Sequence, residues 1–353
     1  MNERAEQLLE GPRGRRFCLE LAMELDAGLR TAVLGLTLRL DAVVGSSAVM
    51  VLGAGTDAVP SAPVVSTKDL ASALAALDVD RVNAEATAKA LRAAVDSARY
   101  WQEPDSEDTL AALPEIRDAL APLAEHVARH RAADWFWQPR TLTQWVVDWR
   151  SADDPAPLHR NPGDALAKWA GNERAEEQRA AVERPEDPRA NWSGTWWSFP
   201  QGVICSVGSM PGGLTLVEDY CGWEDATAVP VRGVGRTFVI TTAEEWVSLC
   251  RDYPLDVTSS RRHDWYRVSG RDGCWVIPDW QQVSRDWDAV HLTVAGYLSS
   301  ATRALALDDE RSTVLAGWGP DSTIWLTDVV REWNEPRQVW HRSTGDEHWS
   351  RTH

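Results

Sequence analysis

The chain has 353 residues, 36 basic against 53 acidic side chains, a formal net charge of −17, 44% hydrophobic residues and 20 Trp. This is the composition of an ordinary globular protein and excludes collagenous, disulfide-rich, disordered and multi-span membrane classes. The acidic balance also works against a nucleic-acid partner, because neutralising a phosphate backbone needs clustered Lys and Arg; the short runs Arg13-Gly14-Arg15-Arg16 and Arg261-Arg262 read as ion pairing with the surplus carboxylates.

Residues 4–45 read as helical, with Leu8, Leu9, Phe17, Leu21, Leu25, Leu29, Val33, Leu36 and Leu40 on one stripe and a new helix at the Gly11-Pro12 step. Residues 48–52 look like a short strand or a buried turn. They run into Gly53-Ala54-Gly55-Thr56-Asp57-Ala58, which matches the dinucleotide fingerprint on paper. Pro60 and Pro63 argue against the helix that fingerprint requires, so a turn is expected. Ser66 caps a helix carrying Leu70, Leu74 and Leu77. Another amphipathic helix runs from Val82 and must stop near Gln102, ahead of Pro104. Two short helices follow over 106–131, interrupted at Pro114 and Pro122. His126 and His130 sit four apart there, but no third ligand accompanies them and no metal is expected.

Residues 151–190 hold five prolines and many charges and read as a linker. The segments 203–207, 214–217, 236–240, 275–277, 289–292, 314–315 and 323–326 read as strands. Between them Thr242-Ala243-Glu244-Glu245 is a capping box, a helix is expected over 278–286, and Thr293 caps another. The polar tail after Glu335 is expected to fray. The fold class is therefore α+β. It comprises a helical domain over 1–150, a linker over 151–190, a Trp-rich domain with a mixed or antiparallel sheet over 191–335, and a tail over 336–353.

Cys18, Cys205, Cys221, Cys250 and Cys274 are odd in number and follow no zinc or redox spacing, so free thiols in a reducing cytoplasm are expected. The apolar stretch 17–52 is broken by charges and is neither a membrane span nor a secretory signal.

Nineteen of the 20 Trp lie at or after Trp135. Neighbours such as Trp196-Trp197 and Trp135-Phe136-Trp137 are expected on opposite sides of an extended chain, so some rings line a second surface suited to stacking. The richest chemistry lies in three segments. Residues 261–267 bring Arg262, His263, Asp264 and Trp265. Residues 291–297 bring His291, Thr293 and Tyr297. Residues 317–323 bring Trp318, Asp321 and Thr323. If they converge they form a Trp-lined cleft with a polar floor, in which Arg262, Trp265, Thr293, Tyr297, Trp318, Asp321 and Thr323 bind and His291, His263 and Asp264 supply acid and base. The plainer reading is a core histidine, a surface arginine cluster and a turn.

Four stretches resemble a group of actinobacterial proteins over nearly the whole length. They are Gly11-Pro12-Arg13-Gly14-Arg15-Arg16, Ala98-Arg99-Tyr100-Trp101-Gln102-Glu103-Pro104, His291-Leu292-Thr293-Val294-Ala295-Gly296-Tyr297-Leu298 and Ala316-Gly317-Trp318-Gly319-Pro320-Asp321. The resemblance implies a host and a cytoplasmic setting and brings no assigned activity. The C-terminal half is also similar to ADP-ribosyltransferase-like folds, where an Arg or His strand, a Ser/Thr strand and a Glu hold NAD. Arg236 and Thr293 fit the first two roles, and the third is unassigned.

The leading expectation is a cytoplasmic protein that binds a small molecule or a polypeptide in that cleft, with no nucleic acid, membrane or metal involved and no cofactor indicated. Two other classes fit the same residues: a transferase or hydrolase working through His291, and an acidic inhibitor that covers a basic partner.

Overall fold

The computed structural model describes residues 1–44, 65–150, 158–343 and 348–352. The glycine fingerprint at 53–58, the short strand or buried turn at 48–52 and the prolines at 60 and 63 lie outside the described residues.

The first half is helical, as its periodicity requires: α1 (Glu3–Glu10), α2 (Pro12–Leu25), α3 (Ala27–Val44), α4 (Thr67–Ala75), α5 (Ala84–Asp96), α6 (Ser106–Ala112) and α7 (Pro114–Val127). Starts are set by side-chain caps at Asn2, Asn83 and Asp105, by a capping box between Ser66 and Asp69, and by Pro12 and Pro114 at the first helical position. Two expected boundaries differ. Pro122 sits inside α7 without ending it: Leu120, Leu123 and Val127 are buried on both sides, and that burial carries the helix past one missing N–H bond. α5 ends at Asp96, short of 102, and the residues after it leave the helix to wall a cleft described below.

The second half alternates strands and helices: β1 (Thr143–Asp148), α8 (Pro162–Glu183), β2 (Ile204–Val207), α9 (Gly212–Thr215), β3 (Asp225–Gly233), β4 (Thr237–Ile240), α10 (Ala243–Asp252), β5 (Pro254–Asp256), α11 (Thr258–Ser269), β6 (Cys274–Pro278), α12 (Trp280–Val283), β7 (Ala289–Leu292), α13 (Val294–Ser300), β8 (Leu305–Ala306), β9 (Arg311–Thr313), β10 (Ser322–Trp325), β11 (Val330–Glu332), β12 (Gln338–His341) and β13 (Ser350–Thr352). The main sheet has the order β13-β12-β3-β1-β2-β10-β7-β4, with β11 also on β3. Its pairings are antiparallel except the parallel β4–β7. A smaller sheet has the order β5-β6-β9-β8. The fold is α+β, with helices concentrated in the first half and sheet in the second.

Several expected elements are corrected. Residues 214–217 are not a strand; the apolar run begins in the helical turn α9, where Leu214 is buried, and a four-residue apolar run cannot distinguish the two. The strand at 314–315 reduces to one bridge between Leu315 and Ala301. The helix over 278–286 shrinks to α12. The tail does not fray over its described part: β12 and β13 extend the sheet because Trp340 and Trp349 bury against Leu214, Ala226 and Ala228. The stretch read as a linker contains the 22-residue helix α8, which buries Leu166, Trp169, Ala170 and Ala180. One apolar cluster includes Leu8, Phe17 and Leu91 from the first half and Trp246, Leu298 and Ile324 from the second.

The seam between the halves is tight. A Cβ on Gly11 would sit 2.0 Å from the Leu298 carbonyl oxygen, so α13 approaches the start of α2 as closely as a glycine permits. Gly11→Ala is expected to cost about 1–3 kcal/mol as an overpacking change, read from urea midpoints; an unchanged midpoint would contradict that approach.

Candidate functional site

Side chains alternate along a strand, and this alternation decides which expected residues share a surface. On one face of the sheet lie Val147, Trp149, Cys205, Val207 and Ser322, which line a cavity of about 330 Å³. On the other face Thr323, Ser206 and Gln144 form a buried hydrogen-bonded chain with His291.

The cavity is closed by the segment 196–199, by the residues after α5 and by residues 317–322. Its rings are Tyr100, Trp101, Trp149, Trp196, Trp197 and Phe199. Trp196 and Trp197 stack on each other at 4.4 Å, Tyr100 stacks on Trp196 at 5.4 Å, and Trp101 tilts against Trp196 at 4.9 Å. The two neighbouring indoles were expected on opposite sides of the chain; they lie against one another and both line the hollow. Trp135 and Phe136 are also not extended: they belong to a 3₁₀ turn that buries Phe136 and leaves Trp135 exposed.

Glu218 lies in the cavity wall. Tyr100 and Tyr297 both donate their hydroxyls to its Oε1, the latter at 2.8 Å. Its Oε2 has no hydrogen-bond partner among the described residues. Burial pushes the carboxyl up to about 7, against the lowering pull of the two tyrosines, Arg13 and Arg99. Burial and the facing carboxyl hold both tyrosines well above their ordinary value, so they stay donors. Burial also pushes the Cys205 thiol up to about 12, which leaves it inert. A carboxyl that titrates near neutrality in an aromatic hollow can accept or release a proton and can hold a cation.

The expected site residues are distributed as follows. Tyr297 is in place, reaching Glu218 from α13. The 317–323 segment contributes Gly317, Gly319, Pro320 and Ser322 to the wall, but Trp318 turns away: it is 1% exposed and meets Trp280 and Trp246 edge-on in the core. Thr323 is on the opposite face. Asp321 holds a left-handed φ of 52°, and burial pushes its carboxyl up to about 6 beside Gly208.

His291 is fully buried on that opposite face. Its Nδ1 lies 3.0 Å from Thr323 Oγ1, which accepts from Gln144, whose own carbonyl accepts from Ser206. Trp325 Nε1 closes the chain on Ser206 at 2.8 Å. Burial and the Arg140 charge pull His291 down to about 4, so the ring is neutral. The core reading holds for this residue. Thr293 is spent on structure, accepting from Gly296 N as the α13 cap and donating to the Ile240 carbonyl. Arg236, its companion in the ADP-ribosyltransferase comparison, is exposed and bonds the Arg285 carbonyl.

The arginine-rich heptad is part of α11, and its buried side chains hold the aromatic wall from behind. Trp265, itself fully buried, donates Nε1 to the Trp196 carbonyl at 3.0 Å. Arg261 donates to the Trp197 carbonyl at 3.1 Å while paired with Glu173. Trp280 donates to the next carbonyl, Ser198, at 3.0 Å. Asp264 accepts from Gly194 N and Arg267. Arg262 bonds the Pro185 carbonyl. His263 is buried with neither ring nitrogen partnered, and burial, with Arg262, Arg184 and Arg267, lowers its pKa. Arg262, His263, Asp264 and Trp265 therefore do not line the cleft with His291. Trp265→Phe strands the Trp196 carbonyl and is expected to cost about 1–3 kcal/mol, read by chemical denaturation; a neutral result would deny the strut role.

Sequence reading missed Glu218, Tyr100 and Trp149 as site residues. The available signal was the acidic pair Glu218-Asp219 that ends the apolar run 214–217.

A larger hollow of about 570 Å³ lies between α2, α6 and residues 302–304. No aromatic ring lines it, and several of its charges are paired off, Asp108 with Arg13 and Arg16, Asp105 with Arg16, and Arg99 with Asp219. Among the described residues, no group of three or more His, Cys, Asp or Glu is placed to hold a metal, and no helix is long and apolar enough to cross a membrane. No protein-family model, curated protein or solved structure matches the chain.

Proposed function

We propose that this protein binds a small molecule in the aromatic cleft over Glu218. The observation that carries the reading is a carboxyl held by two tyrosines from distant segments, with one oxygen left unpartnered among six aromatic rings. That oxygen is open to solvent, and its lone pairs are free to accept from a ligand donor. At about 330 Å³ the hollow has the size of a small-molecule site. The transferase or hydrolase alternative rested on His291, which lies sealed on the far face of the sheet. The inhibitor alternative rests on net charge alone. A cytoplasmic setting is supported by five unpaired cysteines, two of them exposed.

The test is saturable quenching of Trp fluorescence by a panel of sugars, nucleotides, peptides and organic amines. Trp101→Ala is expected to weaken the binding member about tenfold, the loss of one stacking face. Trp333→Ala, at an exposed ring under Arg232, is expected to leave it unchanged. A panel without any saturable quencher would remove the proposal.

A further inference from the structure

The walls of the cleft are chemically one-sided. Its only ionisable carboxyls are Glu218 and Asp219, and no Lys, Arg or His lines it among the described residues. The two cations nearest Glu218 are engaged elsewhere. Arg13 is buried and bonds Asp108, Thr302, Ser97 and the Ala94 carbonyl. Arg99 is paired with Asp219 at 3.1 Å. Glu218 itself receives only two neutral hydroxyls. The faces of aromatic rings carry partial negative charge and attract cations, and six aromatic rings line the hollow that Glu218 also lines. The whole chain, at −17, adds a field of the same sign.

We infer that the ligand of this cleft is a small organic cation, an ammonium or quaternary ammonium group set against Glu218 Oε2 with its apolar body between the indoles. This rests on the binding role proposed above and adds the ligand's charge. An anion would meet the Glu218 carboxylate, whose hydrogen bonds come only from neutral hydroxyls, and a neutral ring would leave its Oε2 without a donor.

Binding also carries a proton signature. The charged and titratable groups facing Glu218 are Tyr100 and Arg99 from the segment after α5, Tyr297 from α13, Arg13 from α2 and the adjacent Asp219. Both tyrosines, held well above their ordinary value, keep their protons across the neutral range. Glu218, at about 7, must release its own to meet a cation, so cation affinity rises with pH.

Three probes of one shape decide the matter: benzyltrimethylammonium, benzyl alcohol and benzoate, titrated by Trp fluorescence. The expected result is saturable binding of the cation, at least about tenfold tighter than the alcohol at pH 8, with no saturation by benzoate. The cation's affinity is expected to rise about tenfold from pH 6 to pH 8, following the ionised fraction of the carboxyl, while the alcohol's stays flat. Glu218→Gln should bring the cation down to the level of the alcohol and abolish its pH dependence. Equal binding of alcohol and cation, tighter binding of benzoate, or a cation affinity indifferent to pH would overturn the inference and leave the cleft a binding site. Absence of saturable quenching by all three, and by the wider panel above, would overturn both.

Discussion

Trp318→Ala is expected to lower the stability of the protein by about 3–5 kcal/mol, the cost of truncating a fully buried indole. The ring is 1% exposed and wedged edge-on between Trp280 at 5.8 Å and Trp246 at 6.4 Å. Such rings bring 150–250 Å² of burial and about 0.5–1.5 kcal/mol of edge-to-face attraction per pair, and the cavity left behind collapses poorly among other rigid rings. The loss extends to binding, because Gly317, Gly319 and Pro320 on either side of Trp318 line the cleft. Gly317 has no room for a side chain: a Cβ there would lie 2.4 Å from the Trp197 ring. Urea unfolding at neutral pH measures the effect. A loss below about 1 kcal/mol, the size of a surface change, would mean that the ring is not seated in the core.

Glu218 and His291 are expected to tilt the pH dependence of stability in opposite directions. Glu218 is raised from 4.5 to about 7. Between those values the folded protein holds a proton that the unfolded chain has released, so this group's contribution is full below 4.5 and is lost as pH rises to 7, at about 1.4 kcal/mol per pH unit. His291 is lowered from 6.5 to about 4. There the unfolded chain holds the proton and the folded protein does not, so its contribution is full above 6.5 and is lost as pH falls to 4, at the same rate of about 1.4 kcal/mol per unit. The two slopes offset each other from about pH 4.5 to 6.5. Glu218→Gln should therefore gain on the wild type from near zero at pH 4.5 to about 3 kcal/mol at pH 8, less the weaker hydrogen bonds of a neutral acceptor. His291→Asn should carry a constant packing loss and, on top of it, gain up to about 3 kcal/mol as pH falls from 7 to 4. Urea midpoints at five pH values give both curves. Parallel curves for the two variants and the wild type would refute the assignment of these groups. A more stable Glu218→Gln that no longer binds ligand would identify the carboxyl as a group kept at a cost to the fold.

The helices of the first half and five strands of the second could be read from the sequence, because local signals and the final structure agree there. Ser66, Thr242 and Thr293 cap where a capping residue precedes an apolar stripe. The segments at 203–207, 236–240, 275–277, 289–292 and 323–326 lie on or within one residue of observed strands. What escaped was structure whose burial contradicts its residue types. β3 pairs with β1, β11 and β12 although it contains Pro230, which argues against an inner strand. α11 shows no apolar stripe, because Arg261, His263 and Asp264 are as buried as Trp265. The three segments expected to meet do not share one hollow; the one present is walled by Trp101, Trp149, Trp196 and Trp197, where Trp265 and Trp318 were named. An indole in the core and an indole in a cleft have the same chemistry and the same local neighbours; only the paths of segments distant in sequence separate them. The period-two alternation was available for His291, and it could not say which face of β7 meets the hollow.

The carboxyl at 218 is steadied by one hydroxyl 118 positions earlier and another 79 positions later. A ribosome-bound chain that has not yet emerged beyond Tyr297, or one clipped between these partners and drifted apart, would present the indoles without their clamp. Contacts so remote in sequence form late, after loop closure has been paid in entropy. The capacity to capture ligand is thus acquired only by the finished molecule, and its appearance during refolding would time the last step of assembly.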